Sequence, residues 1–121
     1  MRALVVGDSG MMRKVLIGAL ARAGINDVDQ ATDGMEAVAA CQNADYQLVL
    51  MDWNMPNMMG NDAIRAIRAS GKTMPIIMVA IQAEKSQVVE AIKAGANDYI
   101  VKPLKVSTIV KKIQAVLGKM G

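Results

Sequence analysis

Short hydrophobic runs alternate along the chain with longer segments in which apolar residues recur at helical spacing. Uninterrupted hydrophobicity, rather than strict alternation, is typical of strands that are covered on both faces, as in a parallel sheet. We therefore expect a central parallel sheet with helices packed on each side. Five runs, most of them continuously apolar, predict its strands: Ala3–Val6, Val28–Ala31, Leu48–Met51, Ile76–Val79 and Tyr99–Val101.

The segments between these runs carry the apolar stripes of helices that pack against a sheet. Two long stripes are Met12, Val15, Leu16, Ala19, Leu20 and Ala23, and Val106, Ile109, Val110, Ile113, Val116 and Leu117. Three shorter stripes are Met35-Val38-Ala39, Ala63-Ile64-Ile67 and Val88-Ala91-Ile92. Five strands that alternate with five helices predict an α/β doubly wound sheet with right-handed crossovers, in one domain spanning residues 1–121.

Residues typical of turns and helix ends lie between the predicted elements. The dipeptide Asp33-Gly34 and the segment Asn57–Asn61 indicate loops or helix starts. Glycine is common just past a helix, where the backbone turns left-handed. Four glycines are predicted to end helices in this way: Gly24, Gly71, Gly95 and Gly118.

The composition removes several classes of function. The chain has no histidine and one cysteine, which excludes Ser-His and Cys-His nucleophile pairs, imidazole metal sites and an internal disulfide. Its net charge is +3, but the basic residues are scattered and only three aromatic residues are available for stacking on bases, so we expect no nucleic-acid partner. No apolar stretch approaches the length of a membrane span or of a signal-peptide core, so we expect a cytoplasmic protein.

Charged residues follow three of the predicted strands. Ligands of a doubly wound sheet bind beyond the carboxyl ends of its strands. Asp8 follows the first strand, Asp52 the third and Lys102 the fifth, so two acids and a lysine converge on one edge. Two carboxylates suit Mg²⁺, which takes one or two of them and keeps several waters. With its charge compensated, an aspartate at such a site supports phosphoryl transfer to its own carboxylate.

Three segments of the chain resemble the response regulator receiver family. The resemblance covers the whole chain, and it is strongest to the single-domain chemotaxis members of the CheY type. It implies a flavodoxin-like fold with five helices and five parallel strands in the order 2-1-3-4-5. The segments are Val5-Val6-Gly7-Asp8-Ser9, Met51-Asp52-Trp53-Asn54-Met55-Pro56-Asn57-Met58, and Lys93-Ala94-Gly95-Ala96-Asn97-Asp98-Tyr99-Ile100-Val101-Lys102-Pro103.

The resemblance also implies roles for individual residues. Asp52 is expected to accept the phosphoryl group and to be a ligand of Mg²⁺. Asp8 is expected to be the second carboxylate ligand, and the backbone carbonyl of Asn54 the third protein ligand. Lys102 is expected to contact the phosphoryl oxygens and to form a cis peptide bond with Pro103.

The implied output is a protein–protein interaction. Tyr99 occupies the position of the family's aromatic switch, a side chain that changes rotamer on activation. The implied partners are a histidine kinase, which donates the phosphoryl group from a phosphohistidine, and a downstream target. The target is expected to bind the face formed by the fourth helix, the fifth strand and the fifth helix of a monomer. Such a protein is not an enzyme in the usual sense, although it assists its own phosphorylation and dephosphorylation.

The sequence departs from the family around the expected site. Gly7 replaces the first of two adjacent acids, which usually holds a metal-bound water, so we expect weakened Mg²⁺ binding. Ala80 replaces a Thr or Ser whose hydroxyl bonds the phosphoryl group, so we expect phosphorylation to be partly uncoupled from switching. Ile81 is expected to narrow the access to the acceptor, while Met59 replaces a frequent Asp and Leu104 a frequent Phe.

Two functional hypotheses follow, with a third that has less support. The leading one is a receiver that still accepts a phosphoryl group on Asp52, with impaired metal binding and switching. The alternative is a degenerate or engineered receiver that acts only as a phosphorylation-independent protein-binding module, which Gly7 and Ala80 favour. An unrelated flavin or nucleotide binder lacks support, because neither a Gly-x-Gly-x-x-Gly nor a Walker sequence is present.

The remaining unusual residues are predicted to have ordinary structural roles. Cys41 is expected to be a packed thiol, and most of the 11 methionines are expected to fill the core. Asp98 is expected in the turn that enters the last strand.

Overall fold

Five strands and five helices alternate in the part of the chain that the structure, a computed structural model, describes, namely residues 1–80 and 85–120. In chain order, the elements are β1 (Arg2–Val6), α1 (Gly10–Arg22), β2 (Asp27–Ala31), α2 (Gly34–Asn43), β3 (Leu48–Asp52), α3 (Gly60–Ala69), β4 (Ile76–Ala80), α4 (Lys85–Ala94), β5 (Asp98–Val101) and α5 (Val106–Met120). All five predicted strands are therefore confirmed to within one residue at each end.

The five strands form one parallel sheet in the order β2-β1-β3-β4-β5. This confirms the flavodoxin-like doubly wound sheet in the order 2-1-3-4-5. Because β1 and β3 are neighbours in the middle of the sheet, the residues that follow β1 lie beside the end of β3. The edge formed by the carboxyl ends of these strands carries the polar residues that the sequence singled out.

Alternate side chains of the strands enter two separate hydrophobic cores, one on each face of the sheet. On one face, α1 and α5 pack on residues such as Val5, Leu50 and Val79. On the other face, α2, α3 and α4 pack on the next residue along each of two strands, Val6 in β1 and Met51 in β3. The central strands β1, β3 and β4 are buried almost along their whole length, which explains their continuous hydrophobicity.

The prediction that every strand is covered on both faces is wrong for β2. This strand lies at the edge of the sheet, and Asp27 and Gln30 are exposed to solvent. Asp29 is half-buried and accepts hydrogen bonds from Arg2 at 2.7 Å and from the hydroxyl of Tyr46 at 2.6 Å. A polar edge strand with a paired charge is a usual way to prevent edge-to-edge association.

Two of the three short apolar stripes, those of α2 and α4, include residues that the structure leaves exposed. Met35 and Ala39 of α2 are exposed, and the helix buries Ala37 and Cys41 instead. In α4 the buried residues are Gln87, Ala91 and Ala94, while Ile92 is 47% exposed. Small side chains face the sheet in both helices, so the largest hydrophobic residues do not mark the buried face. Cys41 is 1% exposed, which confirms the packed thiol.

Helix ends agree with the predicted capping residues at all but one position. Gly24, Gly71 and Gly95 each follow a helix with positive φ angles, of 89°, 90° and 123°. Gly118 is the exception, because α5 continues through it to Met120. No helix of residues 1–80 and 85–120 combines the length and the hydrophobicity that crossing a membrane requires.

Candidate functional site

The carboxyl ends of β1, β3 and β5 bring the predicted site residues to one edge of the sheet. Asp52 is the last residue of β3, Asp8 lies two residues past β1, and Lys102 directly follows β5. Asp52, Asp8, Lys102 and Asn54 line one cavity of about 450 Å³. The structure therefore places these four predicted residues together, although they come from three separate segments of the chain.

The other wall of this cavity is mostly apolar. It is formed by the start of α1 and by the segment that follows Lys102. Met11 is exposed, Met12 is buried, and both belong to the first turn of α1. Ser9 caps this helix by accepting a hydrogen bond from the amide of Met12 at 3.2 Å. The remaining lining residues are Val15, Pro103 and Leu104.

Asp52 is a buried carboxylate that lies close to the ammonium group of a lysine. Its residue is only 4% exposed, and the Nζ atom of Lys102 lies 3.5 Å from its Oδ1 atom. Burial raises the pKa of Asp52, and the charge of Lys102 together with the amides of Trp53 and Asn54 opposes this rise. A carboxylate whose charge is only partly compensated favours the approach of a further cation.

Gly7 lies beside Asp52 without a side chain of its own. A Cβ atom at Gly7 would lie 3.6 Å from the Cβ of Asp52, so an acid here would face the same cavity. The same Cβ would overlap the terminal methyl group of Met12, which fills this space. An apolar methyl group therefore stands where a second acid of the β1 end would project.

The loop between Asp52 and α3 is fixed at both ends by backbone hydrogen bonds. The amide of Trp53 donates to the carbonyl of Val79 at 3.0 Å, and the amide of Gly60 donates to the carbonyl of Trp53 at 2.9 Å. A Cβ at Gly60 would overlap the carbonyl oxygen of Asp52, so only glycine allows α3 to start so close to β3. Asn54 lies in this loop and is exposed to the cavity.

Ala80 ends β4 next to Lys102. Its carbonyl accepts a hydrogen bond from the amide of Lys102 at 3.0 Å, and its methyl side chain is 1% exposed. The peptide bond between Lys102 and Pro103 is cis, as predicted. Ile81, whose bulk was expected to narrow the access to Asp52, lies outside the described residues. Met59, which replaces a frequent acid, precedes α3 without a side-chain capping bond.

Tyr99 lies away from the cavity, on β5. Its partly buried ring packs against the core formed with α2, α3 and α4. The Nζ atom of Lys112, on α5, lies 4.7 Å from the centre of this ring and 3.0 Å from the Oδ1 atom of Asp98. The prediction of a turn at Asp98 is corrected, because it is the first residue of β5.

The donor atoms of the cavity fit Mg²⁺ better than a transition metal. Asp8 and Asp52 bring carboxylate side chains to the cavity, and Asn54 lines it as well. In the described part of the chain, no group of three or more His, Cys, Asp or Glu side chains is arranged to hold a metal. Mg²⁺ needs only one or two carboxylates, because it keeps several of its waters.

Sequence reasoning missed two residues that act on this region. Met12 was predicted only as part of the apolar stripe of α1, yet its end lies over Gly7. A helix that starts three residues after Gly7 was the available signal, because its first turn must pass over the end of β1. No feature of the sequence identifies Lys112, because its position over the ring of Tyr99 depends on how α5 packs against β5.

Comparisons with known proteins agree with this geometry. The sequence profile described as the response regulator receiver domain matches residues 3–114. The chain is 42% identical to the chemotaxis protein CheY1 of Helicobacter pylori over 121 residues, which cover 98% of both chains. It is 35% identical to the chemotaxis protein CheY-3 of Vibrio cholerae over 122 residues, covering 99% of this chain and 94% of the relative.

Solved structures show the same similarity. The chemotaxis response regulator CheY4 of Vibrio cholerae superposes with a TM-score of 0.86 at 33% identity, covering 95% of this chain and 97% of that one. The receiver domain of a sensor histidine kinase from Pseudomonas aeruginosa superposes with a TM-score of 0.85 at 31% identity, covering 97% of both chains. The latter structure contains a magnesium ion coordinated in its active-site cleft.

Proposed function

Because the chain belongs to the family of response regulator receiver domains, we propose that Asp52 accepts a phosphoryl group and that the protein signals through protein–protein contacts. The observation that carries this proposal is the buried carboxylate of Asp52 at the sheet edge, 3.5 Å from Lys102 and in one cavity with Asp8. Receiver domains of this kind are signalling proteins, not classical enzymes.

The proposed step is an in-line transfer to the carboxylate of Asp52. One oxygen of Asp52 attacks the phosphorus, a new P–O bond forms, and the P–N bond to the imidazole of a donor's phosphohistidine breaks. Lys102 contacts the phosphoryl oxygens and compensates the charge that two approaching anions bring together. Asp8, Asp52 and the backbone carbonyl of Asn54 would hold Mg²⁺, which would supply further charge neutralisation. The chain itself contains no histidine, so the phosphoryl group comes from another molecule.

We propose that metal binding at this site is weaker than in receivers with two adjacent acids. The carboxylate that Gly7 lacks would hold a metal-bound water, and the methyl group of Met12 occupies its space. Asp8 and Asp52 remain as direct ligands, so binding is reduced but not abolished.

We propose that switching is impaired at Ala80. Alanine cannot donate the hydrogen bond with which a Thr or Ser hydroxyl draws its loop toward the phosphoryl group. A hydrogen bond to a charged group contributes about 1.5–3 kcal/mol, which is comparable to the gap between two conformations of a switch. Tyr99, as the aromatic switch, is therefore expected to respond only weakly to phosphorylation.

The proposed partners follow from the same premise. A histidine kinase donates the phosphoryl group, and a downstream target binds the face formed by α4, β5 and α5, where Val89 and Ile92 are about half exposed. We propose that the chain acts as a single receiver domain of residues 1–121, as a cytoplasmic monomer, without a nucleic-acid partner. The groups that assist phosphorylation also assist the attack of water that removes the phosphoryl group.

Trp53 provides the test, since the only tryptophan of the chain follows Asp52 directly. We expect Mg²⁺ at millimolar concentration to quench its fluorescence, and beryllofluoride, which mimics an aspartyl phosphate, to change the signal again. Asp52→Asn is the matched control and should abolish the second change. If neither reagent alters the wild-type signal, the alternative of a phosphorylation-independent binding module is correct.

A further inference from the structure

Asp33 joins α2 to the loop that follows the proposed phosphoacceptor. Its residue is only 8% exposed, and its two carboxylate oxygens have different partners. Oδ1 accepts from the amide of Glu36 at 2.8 Å and thereby caps α2. Oδ2 accepts from the side-chain amide of Asn57 at 2.6 Å. The cap of one helix is therefore bonded directly to the β3–α3 loop.

Asn57 has a backbone conformation that needs such support. Its φ angle is 67°, and the amide of Met58 donates to the carbonyl of Pro56 at 2.7 Å across it. This is a tight three-residue turn in the left-handed region, which costs free energy for any residue with a side chain. Asparagine tolerates the region better than most residues, and its bond to Asp33 offsets part of the remaining cost.

The backbones of α2 and of the loop are also in direct contact. A Cβ atom at Gly34, the first residue of α2, would lie 2.5 Å from the carbonyl oxygen of Met58 and 2.9 Å from its Cβ. Only glycine allows this approach without displacing the backbone of the loop. The loop is thus held against α2 by a side-chain bond at Asn57 and by close packing at the next residue.

Only two residues separate this anchor from Asn54, and both have little freedom. Met55 is 5% exposed and belongs to the hydrophobic core, and Pro56 has a φ angle fixed by its ring. On the other side of Asn54, the amide of Trp53 is bonded to Val79 of β4. The orientation of the Asn54 carbonyl therefore depends on where Asn57 is held.

We propose that Asp33 and Asn57 are positioning residues for metal binding, which fix the loop so that the Asn54 carbonyl faces the cavity. The inference rests on the proposed role of Asn54 as a ligand, and it extends the site to α2, which lies outside the cavity. Neither Asp33 nor Asn57 lines the cavity, so both would act on Asn54 through the two residues between, Met55 and Pro56.

Asn57→Gly tests the side-chain bond by itself, because glycine keeps the positive φ at no cost and lacks only the amide. We expect the Kd for Mg²⁺, measured by isothermal titration calorimetry, to rise about three- to tenfold, the loss expected for one hydrogen bond. The amide resonances of Asn54 and Met55 should also shift in the metal-free protein. An unchanged Kd overturns the proposal.

Exchanging the two residues provides a rescue. Asn57→Asp alone places two carboxylates in contact, so we expect weaker Mg²⁺ binding although the variant is more acidic. The double variant D33N/N57D restores a donor and an acceptor, keeps the capping oxygen and has the wild-type charge. We expect its Kd to return to within about threefold of the wild-type value. Failure of the double variant to improve on Asn57→Asp contradicts a positioning bond.

Gly34→Ala tests the backbone contact without altering either partner of the bond. The added methyl group must displace Met58, so the Kd for Mg²⁺ should rise here as well. Asn43→Gly, at the other end of α2, is the matched control, which lowers stability without touching the loop and should leave the Kd unchanged. If the wild type itself does not bind Mg²⁺, the proposed function fails together with this inference; equal binding by wild type and variants refutes the inference alone.

Discussion

At the scale of single residues, the proposed weakening of metal binding and of switching depends on two small side chains at the site, Gly7 and Ala80. Gly7 carries no carboxylate and Ala80 no hydroxyl, while Asp8, Asp52 and Lys102 line one cavity. The space next to the Cα atom of Gly7 is not empty, because the terminal methyl group of Met12 fills it. The proposed effects on metal binding and on switching therefore rest on separate residues, which can be substituted separately.

Gly7→Asp is expected to tighten Mg²⁺ binding once Met12 makes room for it. The end of Met12 is flexible, and Met12→Leu removes the overlapping methyl group at a cost below about 1.5 kcal/mol. One added hydrogen bond, donated by a metal-bound water to the new carboxylate, predicts a Kd about tenfold lower or better for Gly7→Asp/Met12→Leu. The Kd for Mg²⁺ is measured by the fluorescence of Trp53, and the single variant Met12→Leu is the control. No tightening in the double variant would show that Gly7 does not limit metal binding.

Ala80→Thr is expected to have opposite effects on the free and the activated protein. Position 80 is 1% exposed, so an added hydroxyl without a partner lowers the free energy of unfolding by about 1–3 kcal/mol. Beryllofluoride offers the hydroxyl an acceptor and should recover most of this loss. Urea denaturation with and without Mg²⁺ and beryllofluoride measures both values. An equal loss in both conditions would argue against a switch hydroxyl at this position.

At the scale of secondary-structure elements, two contacts connect helices to the functional region. Asp33 connects α2 to the β3–α3 loop, and Lys112 connects α5 to Tyr99 on β5. Both contacts join residues far apart in sequence, and each combines a charged group with a position expected to matter for activity. The helices therefore contribute to the site as well as covering the sheet.

The cap at Asp33 predicts a contribution to stability that is lost in acid. Hydrogen bonds from Glu36 and Asn57 hold the pKa of Asp33 below its ordinary value of 3.8. The charged form is therefore favoured in the folded state, so its contribution is present above pH 3.8 and disappears as the pH falls through the lowered pKa. Asp33→Asn should be less stable than wild type at neutral pH, and the difference should shrink below about pH 4 in urea denaturation. A difference that is independent of pH contradicts this assignment.

Lys112 is expected to restrict the rotamer of Tyr99. Its ammonium group lies over the ring and is paired with Asp98, and a cation over an exposed ring contributes about 0.5–1 kcal/mol. Lys112→Gln should therefore increase the minor rotamer of Tyr99 about two- to fivefold, measured by side-chain coupling constants in NMR. Lys111→Gln, on the exposed side of α5, is the control. Identical rotamer populations of Tyr99 in both variants would show that Lys112 does not restrict this side chain.

The sequence pattern predicts these elements well where burial is continuous and less well at the edges. The buried strands β1, β3 and β4 each contain at least four consecutive hydrophobic residues, so their bounds follow from the sequence to within one residue. The exposure of β2 follows from its place at the sheet edge, which a local pattern does not contain. In α2 and α4 the sheet is met by small residues such as Ala37 and Ala91, so the largest side chains indicate the wrong face.

The same distinction holds for the site. Asp8, Asp52 and Lys102 lie at or just past the carboxyl ends of strands, so a parallel sheet must bring them to one edge. The methyl group of Met12 over Gly7 and the bond between Asp33 and Asn57 depend on how separate elements pack. Such contacts are not encoded by spacing along the chain, and they required the three-dimensional structure.

At the scale of the whole molecule, the two cores make one rigid sheet that carries the site at its carboxyl edge. The core with α1 and α5 includes Met12, beside the cavity, and the core with α2, α3 and α4 includes Met55 of the β3–α3 loop. Burial on both faces leaves Asp52 as a buried acid whose pKa is raised. The fold therefore provides a partly neutralised carboxylate at the wall of a cavity.

The most direct test of this function is the intact mass of the protein after incubation with acetyl phosphate and millimolar Mg²⁺. We expect the mass to increase by one phosphoryl group in the wild type and to remain unchanged in Asp52→Asn. Chelation of Mg²⁺ should reduce the modified fraction. An unmodified wild type under these conditions, or equal modification of Asp52→Asn, would contradict the proposal that Asp52 accepts the phosphoryl group.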